Sequence, residues 1–164
     1  LGYHHKSNEP QKSWEERPLV WSFHGTDWFQ RSKQLSAFSH IVPNSCRLLP
    51  SWNHATMTGE HDYVKLLGES KFCPILKGNH YETFRLYEAL EAGALPVTTI
   101  TDINYLTWVE ENLGLEQDYA WNKATESMMN ADICEETRIA VQAKWHQWKQ
   151  RIQAQCQALL ASRT

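Results

Sequence analysis

Residues 70–100 read SKFCPILKGNHYETFRLYEALEAGALPVTTI, and this stretch decides the fold. Residues 71–76 are an apolar run of strand length, and Lys77-Gly78-Asn79-His80 has the composition of a loop. From 82 to 92 the residues Leu86, Ala89 and Leu90 recur at helical spacing, which predicts a helix with those three on its buried face. Gly93 follows at the position where helices end in positive φ. Residues 95–99 (LPVTT) return to strand, with Pro96 near the start, where its missing N–H costs least.

The same alternation extends in both directions. PLVWSFHG (18–25) is an apolar run ending at Gly25, a buried strand that stops at a tight loop. Thr26 or Asp27 can cap a helix running to about Phe38. Residues 46–50 are a short strand, 51–60 a loop, and Asp62 opens a helix in which Tyr63, Leu66 and Leu67 share a face. Beyond residue 100, NYLTWVEENLG gives a helix ending at Gly114, and 115–133 carry no clear period. Residues 135–161 form a long amphipathic helix with Val141, Trp145, Trp148, Ile152, Cys156 and Leu159 at spacings of three and four. Glu135 and Glu136 at its start and Arg163 after its end match the helix dipole. Residues 1–17 are polar without period and read as a linker or N-terminal arm, leaving 18–164 as one domain. Strands alternating with helices predict an α/β, Rossmann-like three-layer domain with a mostly parallel sheet and helices on both faces.

Length and composition agree with one core: 164 residues, 41% hydrophobic and 21% charged. The net charge of -3 and the lack of a Lys/Arg stripe argue against a nucleic-acid partner. No apolar run of membrane-spanning length occurs, so no membrane contact is expected within this chain. The four cysteines (Cys46, Cys73, Cys134, Cys156) lack metal-ligand spacing, and no metal is expected. Eight tryptophans are many; such aromatic surface lines sugar sites or domain interfaces, with core filling the default for any one of them.

In this architecture ligands sit beyond the carboxyl ends of the strands. Three loops belong there: 23–26, 77–83 and 98–104. Gly78 lets backbone approach a ligand, and Thr83 with the free N–H groups of the next turn can hold a phosphate oxygen. Arg85 in the first turn opposes the helix dipole at about 0.3–1 kcal/mol, which an anion such as a diphosphate would offset. The alternative is a surface Arg85–Glu88 pair. Glu88 lies one turn on, and its carboxylate suits the vicinal hydroxyls of a ribose.

These residues resemble the donor-site signature of exostosin-like glycosyltransferases. The pattern is met by Ser70, Lys71, Phe72, Gly78, Thr83, Arg85, Glu88, Ala89, Leu90, Gly93, Pro96 and Val97, and SFHG followed by Arg31 resembles the family's upstream element. Lys77 departs from the residues many relatives carry before the loop. The resemblance implies the carboxyl-terminal half of a glycosyltransferase-B fold, binding a nucleotide sugar, with a UDP-sugar expected. It implies Glu88 on the ribose, Arg85 and Arg31 on the diphosphate, and Gly25, Gly78 and Thr83 at the close backbone approach; Lys77 either adds a phosphate contact or is a solvated loop lysine, and Glu82 lies in the same loop. Transfer would be inverting, to a hydroxyl of a glycan or glycoprotein acceptor, without metal or other cofactor. An N-terminal acceptor-binding domain outside this chain would supply the base; within the chain, His24 and Glu82 are candidates, and neither is assigned. The competing reading is a non-catalytic glycosyltransferase-like module that pairs with an active subunit. A dinucleotide oxidoreductase is disfavoured, because no G-x-G-x-x-G follows the first strand.

Overall fold

In a computed structural model the described residues are 11–50, 60–78, 83–115 and 119–162. They run β1 (Leu19–Thr26), α1 (Arg31–Ser36), β2 (Asn44–Leu49), α2 (Glu60–Gly68), β3 (Ser70–Ile75), α3 (Phe84–Glu91), β4 (Leu95–Thr98), α4 (Ile103–Leu113), α5 (Ala124–Met129) and α6 (Glu135–Ala161). The sheet is four-stranded and all parallel, in the order β2-β1-β3-β4, and helices flank it. The chain is therefore an α/β, Rossmann-like three-layer domain. Its winding steps from β1 to β2 and then back past β1 to β3, which puts the topological switch between β1 and β3.

Pairing across that switch is partial. β1 matches β2 from Trp21↔Asn44 to Thr26↔Leu49, whereas its register with β3 comprises Leu19↔Ser70 and Trp21↔Phe72. Trp21, Phe23, Phe72, Ile75, Leu86, Leu90, Leu95 and Val97 are buried about the sheet. Trp21 meets Phe38 edge-on and donates its indole N–H to the Ile41 carbonyl at 2.9 Å.

Three stretches differ from the sequence reading or add to it. First, the helix expected from Thr26 or Asp27 to Phe38 is confined to Arg31–Ser36, because Phe29 and Gln30 turn left-handed at φ 53 and 58. Asp27 instead accepts from the Ser32 N–H at 2.9 Å. Second, residues 11–17 are not a free arm. Trp14 and Arg17 are buried, and Trp14 lies edge-on to Phe72 at 5.2 Å. Third, the stretch without period holds buried Leu115, Tyr119, Trp121, Ala124, Met128 and Ile133, and the Trp121 carbonyl accepts from the Thr98 N–H at 2.7 Å.

Arg17 is the hub of the end of the sheet where the strands begin. It donates to the carbonyls of Lys12 (3.2 Å), Leu67 (3.3 Å), Ser70 (2.8 Å) and Ala92 (2.9 Å). Leu67 and Ala92 lie at the carboxyl ends of α2 and α3, so one guanidinium faces the negative ends of two helix dipoles. Burial, then the nearby Arg138, lowers its pKa to about 10. Gly93 makes this possible. At φ 73 it ends α3, and a Cβ there would lie 2.7 Å from Arg17 Nη2 and 2.6 Å from Gln11 Oε1.

α6 divides in two. Val141 and Trp145 are buried, Gln142 donates to the Leu90 carbonyl at 2.8 Å, and Lys149 pairs with Glu91 at 2.7 Å. Trp145, Trp148 and Tyr87 stack on one another, with centroids 5.1–6.2 Å apart. From residue 150 to 162 every residue is exposed, so Ile152, Cys156 and Leu159 continue the stripe outside the buried core. The tryptophans thus do mainly core work: Trp14, Trp21, Trp121 and Trp145 are buried, while Trp28 is 41% exposed. All four cysteines are free thiols.

Replacing Arg17 with Met should lower the unfolding free energy by on the order of 3 kcal/mol, because buried carbonyls lose a charged donor. Arg17→Lys should recover little, since one ammonium cannot span four carbonyls. Urea denaturation measures both, and losses below about 1 kcal/mol for both variants would remove Arg17 from this role.

Candidate functional site

The carboxyl ends of β1 and β3 gather most of the residues singled out from the sequence. Arg31, at the first turn of α1, donates from Nε and Nη2 to the Lys77 carbonyl at 3.2 and 3.0 Å, and from Nη1 to the Thr26 carbonyl at 3.1 Å. It therefore ties the end of β1 to the chain leaving β3. Arg85, at the first turn of α3, donates from Nη2 to the His24 carbonyl and from Nη1 to Tyr63 Oη, both at 2.7 Å. The two guanidiniums share the Phe23 ring, at 4.2 Å from its centroid for Arg85 and 5.7 Å for Arg31. Burial, and then repulsion from Arg85, lowers the pKa of Arg31 below that of an ordinary arginine.

Gly25 has a steric reason to be glycine. A Cβ there would stand 3.0 Å from Arg85 Nη2 and 3.4 Å from Phe23 Cε1, so a side chain would require the guanidinium to shift by a few tenths of an ångström. The sequence reading gave Gly25 to a ligand's approach; its contact in the structure is with Arg85. Similarly, the dipole cost of placing Arg85 at the start of α3 is offset by the His24 carbonyl and the Tyr63 hydroxyl, and an anion is not needed to account for it.

Glu88 accepts from Tyr63 Oη at 3.0 Å, so a tyrosine hydroxyl from α2 stands between Arg85 and Glu88, where the alternative reading had a direct pair. Burial raises the Tyr63 phenol well above its usual range and the buried Cys73 thiol to about 11, so both stay protonated near neutrality. Tyr63 is the member of this network that sequence reasoning missed. Its position on the apolar face of α2 was visible, but its hydroxyl partners come from another helix.

Thr83 precedes α3 in extended conformation, and its buried Oγ1 has no hydrogen-bond partner among the described residues. Lys77 contributes its carbonyl to Arg31, while its ammonium lies 6.0 Å from the Phe29 ring centroid. Gly78 is buried at the end of the described β3 segment. Glu82 lies outside the described residues. From the third loop, Thr99 Oγ1 donates to Gln34 Oε1 of α1 at 2.9 Å, which brings the end of β4 to the same rim.

On the other flank of β1, His24 Nε2 and Ser45 Oγ are 3.0 Å apart. Burial, then Arg47 and Arg85, lowers the His24 pKa from its usual value, so the imidazole is neutral at physiological pH. Among the described residues no cluster of three or more His, Cys, Asp or Glu could hold a metal ion, and no helix is long and apolar enough to cross a membrane. A separate groove of about 330 Å³ lies between the end of α4 and α6. Its cations are already engaged: Arg151 with Asn112 at 2.7 Å and Lys144 with the Gly114 carbonyl at 3.4 Å.

The lowered pKa of His24 gives a signed stability effect. Its contribution is present above the unfolded histidine pKa, about 6.5, and is lost as pH falls toward the folded value, because the unfolded chain takes up the proton first. His24→Gln removes that titration and retains a hydrogen-bonding side chain for Ser45. The unfolding free energy of wild type relative to His24→Gln should therefore decline as pH falls from 7 to 5. A difference that stays constant over that range would show that His24 is not depressed.

The chain matches no model of a known protein family, no curated protein and no solved structure.

Proposed function

We propose that this chain is the donor-binding domain of a glycosyltransferase, holding the diphosphate of a nucleotide sugar at the β1–β3 switch point. The observation that carries the proposal is the pair Arg31 and Arg85 over Phe23, beside the amino end of α3 and the buried hydroxyl of Thr83, which has no hydrogen-bond partner among the described residues. Helix amino termini and guanidiniums are the groups that hold phosphate oxygens. Each guanidinium has five N–H donors, so the bonds to carbonyls leave donors for an anion. Glu88 retains acceptor capacity beside Tyr63 for a ribose hydroxyl, Gly25 and Gly78 would allow a close backbone approach, and Lys77 adds charge. A UDP-sugar is the first donor to test. Transfer would be inverting, to a glycan or glycoprotein hydroxyl, with cations in place of metal on the leaving diphosphate. A facing acceptor domain would supply the base.

The bonds from Arg31 and Arg85 to backbone carbonyls favour a second reading, a non-catalytic glycosyltransferase-like module in which both arginines only hold strand ends together. Ligand binding separates the two. UDP at 100 times its dissociation constant should add about 2.7 kcal/mol to the unfolding free energy. Arg85→Ala should weaken UDP more than uridine, and Glu88→Ala should weaken both. The absence of any thermal shift with millimolar nucleoside diphosphates would favour the module.

The donor reading also predicts that the isolated chain binds donor without transferring sugar, and that EDTA leaves binding intact. Calorimetry and a product assay with and without chelator check both parts. Robust transfer by this chain alone would overturn the half-enzyme reading, and loss of binding in EDTA the metal-free one.

A further inference from the structure

Resting on the reading of the β1–β3 crevice as a nucleotide-sugar site, we propose that the exposed phenyl ring of Phe29 is the platform for the donor's pyranose ring. The donor then lies with its ribose at Glu88 and its sugar at Phe29.

The contacts through the crevice form a chain with a direction. At one end, Tyr63 Oη donates to Glu88 at 3.0 Å and accepts from Arg85 at 2.7 Å. Arg85 and Arg31 follow, sharing the Phe23 ring. Arg31 then donates to the Lys77 carbonyl at 3.0 Å, and the Lys77 ammonium lies 6.0 Å from the Phe29 centroid. Phe29, in the loop between β1 and α1, is thereby placed within reach of the chain leaving β3. A nucleotide sugar is linear in the same way: ribose, diphosphate, sugar. With the carboxylate on the ribose and the two guanidiniums on the diphosphate, the part that reaches Phe29 is the sugar.

The backbone also presents this ring. Single apolar side chains on a surface are ordinary, but Phe29 is 51% exposed on a turn in which both Phe29 and Gln30 are left-handed, at φ 53 and 58. Non-glycine residues adopt that conformation at a cost, and strain of this kind gathers at ligand sites. The turn is held by one side chain. Gln34 Nε2 donates to the Phe29 carbonyl at 3.2 Å, and Gln34 Oε1 accepts from Thr99 Oγ1 at 2.9 Å. The Gln34 N–H donates to the Gln30 carbonyl at 3.2 Å. The platform is therefore fixed to α1 and to the end of β4, at the carboxyl rim where ligands of parallel sheets bind. An aromatic face is apolar and electron-rich, so it suits the C–H face of a pyranose, whose hydroxyls project around the ring edge.

UDP-glucose and UDP-galactose test this, with UDP as the control that lacks the sugar. On binding to the wild-type chain, the hexose ring protons should move upfield in the NMR spectrum through the phenyl ring current. Phe29→Leu, an exposed change that spares the core, should abolish that shift and weaken both UDP-hexoses about fivefold, with UDP held within about twofold. Suppose instead that the hexose protons do not move and Phe29→Leu binds all three ligands like wild type. The platform is then wrong and the crevice reading stands. An upfield shift confined to the uracil protons and lost in Phe29→Leu would reverse the donor's direction, which also overturns the proposal. If wild type binds neither UDP nor a UDP-hexose, the crevice reading falls and the platform with it.

Discussion

A parallel sheet whose winding reverses must leave two neighbouring strands without a connection over their carboxyl ends, and here those strands are β1 and β3. Their registered pairing lies in their first halves, and beyond it the carbonyls of His24, Thr26 and Lys77 accept from arginine side chains. Arg31 and Arg85 reach these carbonyls from the first turns of α1 and α3. Much follows from that placement. Phe23 is the surface on which both cations rest, Gly25 is kept free of a side chain, and Tyr63 is drawn in to complete the bonding of Arg85 and Glu88.

The opposite end of the sheet solves a related problem. α2 and α3 both finish there, and their last carbonyls lie close together. One buried guanidinium, Arg17, serves both, and Gly93 leaves room for it. The two ends therefore use arginine alike, to bind main-chain oxygen. They differ in burial of the residue as a whole: Arg17 is buried, whereas Arg31 and Arg85 are half-buried.

The parts legible in the sequence are those with local causes. Apolar runs marked β1, β3 and β4, helical spacing marked α3, α4 and α6, and Gly93 and Gly114 mark helix ends with φ 73 and 62. Arg85 and Glu88 could be singled out because they sit in the first two turns of a helix that follows a strand and a glycine loop, and Arg31 through the resemblance of the first strand and helix to a known pattern. Tyr63, Arg17 and the His24–Ser45 pair could not, because their partners are 25, 75 and 21 residues away. Side chains that bond to distant carbonyls leave no period behind them. The docking of residues 11–17 was hidden for the same reason, since Trp14 and Arg17 are anchors within an otherwise polar run. The truncation of α1 has a different origin: the left-handed turn at Phe29 and Gln30 uses residue types that seldom adopt it.

The division of α6 has a consequence for how this molecule opens. A helical segment of about a dozen residues is marginal in water by itself, so residues 150–162 must borrow order from the turns anchored by Val141, Trp145 and Lys149. Amide protons along α6 should therefore exchange in a gradient. Those near Trp145 are released only with the global transition, and those beyond Ile152 by fraying from the carboxyl end. One continuous rod in the static structure is thus two units in free energy, with the boundary where the aromatic stack ends.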